Sequence, residues 1–241
     1  MMEDPTQEEL ESFLNRYRAF TNQLKDLRLQ RFQSDFSRLK TSVTSIKTEA
    51  EEQNRLLATS FNIFRLLGVA HKEVIVHSAL IANLLNPKGT HAQKHLFLDR
   101  LLRMCASRFA DFPLPTGDIT SSRWVVEKEK VTPFGCMDLV ISCPALRFLL
   151  VIENKIWASE QSDQLKRYYD WMESKKDRFA NQALFYLTPG GDKPHTNAGS
   201  HCFTLSYHDD ISAWLDACLV HVKAPRVRET IVQYLEIIKN L

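Results

Sequence analysis

The chain has 241 residues, of which 44% are hydrophobic and 25% are charged, which excludes a disordered or fibrous protein and predicts one globular domain with an appendage. Its 31 basic and 29 acidic residues nearly balance, so any contact with nucleic acid requires a local basic surface. The sequence has no C-x-x-C pair, no apolar leader and no apolar run of about 18 residues, which predicts no zinc site, no membrane span and a cytoplasmic location.

Residues 1–57 are predicted to form a long helix, because no glycine and only Pro5 interrupt them. Apolar residues there alternate spacings of three and four, with one phase slip, at Leu10, Phe13, Tyr17, Phe20, Leu24 and Leu27 and again at Leu29, Phe32, Phe36, Leu39, Val43 and Ile46. This spacing is typical of a coiled-coil seam, which can be buried against the other half of the helix, against the globular domain or against a second chain. Because the phase slip contains no glycine or proline for a tight turn, the sequence favours a homodimer formed through the helices. Between positions 16 and 47, eight basic residues outnumber two acidic ones. This stretch is either a solvated helix face or a surface for DNA or a partner.

Residues 58–241 have the mixed pattern of a globular domain. A short amphipathic segment ends at Gly68, and helices are predicted at 72–85 and 93–109. Three β-branched segments, separated by turn residues, predict an antiparallel meander of strands at 124–131, 136–142 and 148–157. The remaining predicted elements are a helix at 162–174, strands at 182–187 and 201–205, and helices at 211–222 and 226–240.

The third predicted strand ends in an abrupt change of polarity. The apolar residues 149–152 are followed by Glu153, Asn154 and Lys155, and alternation along a strand puts Glu153 and Lys155 on one face and Asn154 on the other. Charges beside such an apolar run are costly to bury unless they pair with each other or bind an ion. A second triplet of this form, Glu-Ser-Lys at 173–175, follows a polar helix rather than a strand. Context therefore favours the first triplet as a functional site.

Asp138 interrupts the neighbouring apolar strand. Antiparallel pairing through a connection at 143–147 places Asp138 opposite approximately residues 151–153, close to Glu153. Two carboxylates so close repel each other, and a hard divalent cation such as Mg²⁺ relieves that repulsion. Lys155 is then in reach of a metal-bound water and of a phosphate. The alternative is a surface ion pair in which Lys155 bridges the two carboxylates.

Several short blocks occur in a characteristic order: Lys72-Glu73, His77-Ser78, Leu80, residues 84–87, His91, residues 135–138, residues 151–158, Gln164-Leu165 and Arg167-Tyr168. Their ordered combination, over about residues 61–190, resembles the PD-(D/E)XK nuclease superfamily, specifically a bacterial branch with a RecB-like Q-x-x-x-Y motif. The resemblance implies an α/β, restriction-endonuclease-like mixed sheet flanked by helices in 58–241, preceded by the coiled-coil-like extension 1–57.

The resemblance also implies roles for individual residues. Asp138 and Glu153 match the metal ligands, the carbonyl of Asn154 a third ligand, and Lys155 the catalytic lysine. Glu73, on the first core helix, is the candidate that completes the metal site, and His77, four residues on along the same helical face, is the alternative. The sequence departs from the family pattern in placing Glu73 one residue further from His77-Ser78, and in having Met137 where the name of the superfamily has proline.

Gln164 and Tyr168 match the RecB-like motif, which presents both side chains towards the site. Their spacing of four residues puts them on one helical face. The alternative is that Tyr168 packs in the core while Gln164 stays solvated. Two further residues are left open: His91 either caps or catalyses, and Glu129 lies either near Asp138 or on a solvated strand edge.

The expected activity is hydrolysis of phosphodiester bonds in DNA with Mg²⁺ or Mn²⁺, in defence against foreign DNA or in DNA repair. The competing hypothesis is a catalytically silent nuclease-like fold that binds a protein or nucleic acid through its helical arm. The complete set of Asp138, Glu153 and Lys155 favours the enzyme, because a silent fold gains little from charges at buried positions.

Overall fold

The structure is a computed structural model that describes residues 6–58, 60–157, 161, 163–194 and 202–241. The chain divides into two units, Met1–Phe61 and Asn62–Leu241. Ala158, Ser162 and His201, which belong to blocks or elements predicted from the sequence, lie outside the described residues.

The first unit is dominated by one helix, α1, which spans Gln7–Leu57. Its start is fixed by a capping box, in which the Thr6 N–H donates to Glu9 Oε2 at 2.9 Å. It ends at Ala58, whose left-handed backbone (φ 43°) breaks the helical repeat. No residue of α1 is buried, so the seam predicted from the sequence is a continuous apolar stripe on an exposed helix.

The second unit contains six α-helices among the described residues: α2 (Ile63–Leu66), α3 (Ala79–Leu85), α4 (Leu96–Arg108), α5 (Gln164–Glu173), α6 (Ser212–Leu219) and α7 (Pro225–Ile238). Short π-helical turns precede α3 and α6, at Glu73–Ser78 and Tyr207–Ile211. The turn before α6 is capped by Ser206, whose hydroxyl accepts from the N–H groups of Asp209 and Asp210.

Five strands form one mixed sheet in the order β1-β2-β3-β4-β5: β1 (Val125–Thr132), β2 (Gly135–Cys143), β3 (Phe148–Asn154), β4 (Asn181–Thr188) and β5 (Phe203–Ser206). The first three strands pair antiparallel, and β3, β4 and β5 pair parallel. The predicted meander and mixed α/β sheet are thus confirmed.

Helices cover both faces of the sheet. Apolar residues of α3, α4, α6 and α7 pack on the face that carries Leu150 and Ile152. On the opposite face, Leu165 and Tyr168 of α5 pack against Val140 and Val151. Every residue of β3 is buried, so the polar residues at its end are held inside a packed layer.

Among the predicted boundaries that shift, two have a clear local reason. The helix predicted to begin at 93 begins at Leu96, because Ala92 and Lys94 adopt positive φ angles of 57° and 54° that no helix accommodates. The strand predicted to reach 157 ends at Asn154. The N–H of Ile156 donates to Glu73 Oε2 instead of to a neighbouring strand, so the ladder stops there.

Candidate active site

Asp138 and Glu153 are brought together by the hairpin of β2 and β3. Leu139 pairs with Ile152, so the next residues along the two strands, Asp138 and Glu153, stand opposite each other and share a face. This is the face covered by α5. The register agrees with the hairpin spacing read from the sequence.

Glu153 is deeply buried and incompletely satisfied. Its side chain is 1% exposed, and its Oε1 lies 2.7 Å from Lys155 Nζ. Apart from that ammonium, no hydrogen-bond donor of the described residues has good geometry towards either carboxylate oxygen. Asp138 is held differently, because its Oδ2 accepts the backbone N–H of Asn154 at 2.7 Å. A buried carboxylate served by a single cation indicates a site built to receive further positive charge.

The protonation of these groups reflects burial and crowding. Burial, reinforced by repulsion from Asp138, raises the pKa of Glu153 to about 8. Burial also raises the pKa of Asp138 to about 6, against the opposing effects of the Asn154 N–H and the Lys155 ammonium. Burial alone would lower the pKa of Lys155, but attraction to Glu153 and Asp138 outweighs it and raises that pKa. Without a metal ion, the site holds more negative groups than its one lysine neutralises.

Glu73 reaches the same strand end from the π-helical turn before α3. Its Oε2 accepts the N–H of Ile156 at 2.7 Å. A π-helical turn contains one residue more than the corresponding α-helical turn. The turn at Glu73–Ser78 therefore has room for the extra residue that the family resemblance implies between Glu73 and His77-Ser78.

His77 does not face the site. It is fully buried, with Nδ1 2.9 Å from the Tyr234 hydroxyl and Nε2 2.9 Å from the Ala70 carbonyl oxygen. Burial lowers its pKa, which favours the neutral ring. His77 is thus a core residue. His91 is likewise structural, because its Nε2 lies 2.9 Å from the Asn86 carbonyl and its Nδ1 accepts the Gln93 N–H.

The side chain of Asn154 faces the opposite side of the sheet. Its Oδ1 accepts from the Tyr207 hydroxyl at 2.9 Å, and its Nδ2 donates to Ser78 Oγ at 3.0 Å. These hydrogen bonds hold the end of β3 in place from the face of the sheet opposite the site. Sequence reasoning missed Tyr207 and Ser78 as supports for the site, although Ser78 belongs to one of the blocks that carry the family resemblance. The two partners lie 53 and 76 positions from Asn154.

Gln164 and Tyr168 are both buried on α5. Gln164 Nε2 donates to the Tyr168 hydroxyl at 2.8 Å, and that hydroxyl donates its single hydrogen to the Cys136 carbonyl. The hydroxyl also lies against Glu153, and burial raises the pKa of Tyr168. The two side chains thus form a hydrogen-bonded relay from α5 to the carbonyl of Cys136 in β2, two residues before Asp138. Gln164 is buried, so it is not the solvated residue of the alternative hypothesis.

The residues present fit a hard divalent cation without forming a complete cage. In the described part of the chain, no three His, Cys, Asp or Glu side chains are arranged as a metal cluster. The free oxygens of Asp138 and Glu153 nevertheless supply the donor set that Mg²⁺ prefers, a few carboxylate oxygens with water or phosphate completing the shell. The buried Oε2 of Glu153, for which no hydrogen-bond partner is present among the described residues, is the structural observation behind this fit.

The remaining findings concern the whole chain. Among the described residues, no helix combines the length and the apolar character required to cross a membrane. No curated protein and no solved structure matches the sequence. A family model described as the PD-(D/E)XK nuclease superfamily matches residues 61–236, which include all of the strands and the site just described. The chain therefore belongs to the PD-(D/E)XK nuclease superfamily.

Proposed function

We propose that the protein is a Mg²⁺-dependent deoxyribonuclease whose active site lies at the ends of β2 and β3. The observation that carries the proposal is the buried Glu153 carboxylate, which has Asp138 opposite it and Lys155 Nζ 2.7 Å from its Oε1. We assign the nuclease domain to residues 58–241 and a helical extension to residues 1–57. Defence against foreign DNA and DNA repair are the settings that such an activity fits.

Asp138 and Glu153 would hold the cation, and the backbone carbonyl of Asn154 is the third proposed ligand. Glu73 is the fourth, because its carboxylate already lies at the strand end through its bond with the Ile156 N–H. A bound Mg²⁺ or Mn²⁺ supplies Lewis acidity, which lowers the pKa of water and stabilises charge on a phosphate. The protein's contribution is a rigid arrangement of carboxylates on two adjacent strands.

Lys155 provides the positive charge of the chain itself. Its ammonium, which pairs with Glu153, is placed to orient an attacking water and to stabilise the negative charge that develops on the phosphodiester. The relay of Gln164 and Tyr168 positions β2 through the Cys136 carbonyl. It holds Asp138 in register without itself contacting the scissile bond.

Two surface features support a nucleic acid as the substrate. Trp157 lies two residues beyond Lys155 and is 66% exposed, and an exposed aromatic ring beside such a site can stack on a base. The basic stretch of α1 between positions 16 and 47 offers positive charge for a phosphate backbone. DNA rather than RNA is the proposed substrate.

The test is incubation of the purified full chain with supercoiled plasmid, linear duplex, single-stranded DNA and RNA, each with Mg²⁺, Mn²⁺ or EDTA. We expect cleavage of DNA with either metal and none in EDTA. Glu153→Gln is the inactive variant, and Glu173→Gln, in the second Glu-x-Lys triplet, is the matched control. If no substrate is cut under any condition while DNA or a protein still binds, the enzyme proposal is wrong and the silent-module hypothesis replaces it.

A further inference from the structure

Glu129 of β1 extends the row of carboxylates by one strand. Its two neighbours pair with Leu139 and Met137 of β2, so Glu129 stands opposite Asp138. Because Asp138 in turn stands opposite Glu153, three acidic residues on three adjacent strands occupy one line across the sheet. From the sequence alone, Glu129 could lie either near Asp138 in the site or on a solvated strand edge.

The backbone at Glu129 is unusual for a residue within a strand. Its φ is +52°, in the left-handed region that non-glycine residues rarely adopt, and no strand pair is formed at this position although the pairs on both sides are present. Such a conformation costs free energy and persists only where the surrounding structure imposes it. Strain of this kind is found frequently at binding and catalytic positions.

The Glu129 carboxylate is directed towards the face that carries Asp138. Its Oε2 lies 3.9 Å from the Sγ of Cys136, which shares a face with Asp138 because the two are separated by two positions. Its Oε1 is buried, and none of the described residues donates a hydrogen bond to it. Glu127 shows the contrast, since its carboxylate is paired with Lys130 at 2.6 Å.

The charges at this end of the sheet do not balance within the protein. Glu73, Glu129, Asp138 and Glu153 all interact with one another or with Lys155, and Lys155 is the one cationic group that pairs with them among the described residues. A carboxylate with one buried oxygen left without a donor, on a backbone in the left-handed region, is not explained by packing. A hard cation between Glu129 and Asp138 would satisfy both residues.

We propose that Glu129 is a further cation-binding residue, which acts beside Asp138 on the β1 side of the site. This inference rests on the proposed function, because it assumes that the site binds a divalent cation. It extends the binding region from two strands to three. The orphaned Glu129 Oε1, the strained backbone and the register with Asp138 are independent of one another.

The test is calorimetric titration of the full chain with Mn²⁺, for the unmodified protein, Glu129→Gln and Glu127→Gln. We expect Glu129→Gln to bind Mn²⁺ at least tenfold more weakly or with fewer sites, and Glu127→Gln to bind as the unmodified protein does. Equal affinity and stoichiometry for all three proteins would overturn the role of Glu129. A protein that binds no Mn²⁺ at all would instead overturn the proposed function.

A second variant guards against a misfolded Glu129→Gln protein. Glycine adopts a φ of +52° without strain, so Glu129→Gly should melt at a higher temperature than the unmodified protein in EDTA and yet gain less stability when Mn²⁺ is added. These opposite changes are the signature of a strained metal-binding residue. Full stabilisation of Glu129→Gly by Mn²⁺ would contradict the proposal, because the carboxylate would then be dispensable.

Discussion

The two Glu-x-Lys triplets of this chain have the same local pattern and opposite environments. Glu153 and Lys155 end a fully buried strand, and their ion pair is 1% and 11% exposed, respectively. Glu173 ends α5 and pairs with Lys176 at 2.9 Å on the surface, with its side chain 36% exposed. Water screens the surface pair and makes it energetically weak, whereas the buried pair is sensitive to every nearby charge. The chemistry of such a triplet thus depends on whether it is buried and whether a neighbouring strand places a second carboxylate beside it.

Helix α5 links the two triplets. Its first residue, Gln164, takes part in the relay to β2, and its last residue, Glu173, begins the surface triplet. Variants along this helix therefore share one secondary structure and differ in their distance from the site. The following predictions test the comparison in order of decreasing effect.

The largest difference should appear in cleavage. We expect Glu153→Gln, Asp138→Asn and Lys155→Ala each to reduce the rate by at least about 10²–10³-fold, because each removes a group that acts on developing charge. The effects should not add, since the three groups act as a unit. Measurement of the rate for single and double variants checks this, with Glu173→Gln expected to cleave normally. Undiminished metal-dependent cleavage by Glu153→Gln would show that the buried triplet is not the site.

The pH dependence of stability should separate the triplets in metal-free protein. The folded-state pKa values of Glu153 and Asp138 are raised to about 8 and about 6, so the folded state binds more protons than the unfolded state between the unfolded values, about 4, and these raised values. Stability in EDTA should therefore fall as the pH rises from about 4 to about 8. Glu153→Gln should flatten the melting-temperature profile and Glu173→Gln should leave it unchanged; an unchanged profile for both would argue against a buried, uncompensated Glu153.

A smaller effect is expected along α5. Tyr168→Phe keeps the buried ring but removes the hydroxyl that donates to the Cys136 carbonyl, at a cost of about 1–2 kcal/mol. The melting temperature should fall by roughly 2–6 °C, and cleavage per folded molecule should fall about tenfold as β2 loosens beside Asp138. Gln164→Ala should also lower both the melting temperature and cleavage per folded molecule, whereas Glu173→Gln should change neither. Lower stability with normal turnover per folded molecule would make Tyr168 purely structural.

The smallest effect on cleavage is expected from the region that is most exposed. The apolar seam of α1, which runs from Leu10 to Ile46, is not buried within its own unit, and we expect a second copy to cover it. Light scattering should show a dimer that becomes a monomer when residues 1–57 are deleted, while single-stranded DNA is still cut. A full-length monomer at micromolar concentration would refute pairing through α1.

Patterns that are local in sequence were sufficient to predict much of the fold. The spacing of three and four from Leu10 to Ile46 indicates α1, and β-branched runs between turn residues indicate the meander, because both record which face of an element is apolar. The pairing of Asp138 with Glu153 follows from the length of the connection between β2 and β3. Family resemblance, and not periodicity, supplied the roles of Gln164 and Tyr168.

Other features depend on contacts that no local pattern records. The support of Asn154 by Tyr207 joins residues 53 positions apart, and the positive φ of Glu129 is imposed by the sheet around it rather than by its own preference. The π-helical turn at Glu73–Ser78 likewise lies in a segment for which the sequence predicts an ordinary helix at 72–85. Tertiary packing decides each of these, which is why they became visible only in the structure.

The hydrogen bonds at the end of β3 make the site observable without any substrate. The backbone amide of Asn154 donates to Asp138 Oδ2, and the amide of Ile156 donates to Glu73 Oε2. The amide between them, that of Lys155, donates instead to the Leu187 carbonyl. In an amide NMR spectrum, the resonances of Asn154 and Ile156 should therefore shift as a cation draws charge from their acceptors. The resonance of Lys155 should shift as well, because its N–H belongs to the same peptide group as the proposed carbonyl ligand of Asn154. Three consecutive backbone amides can thus report whether a cation is bound at the site.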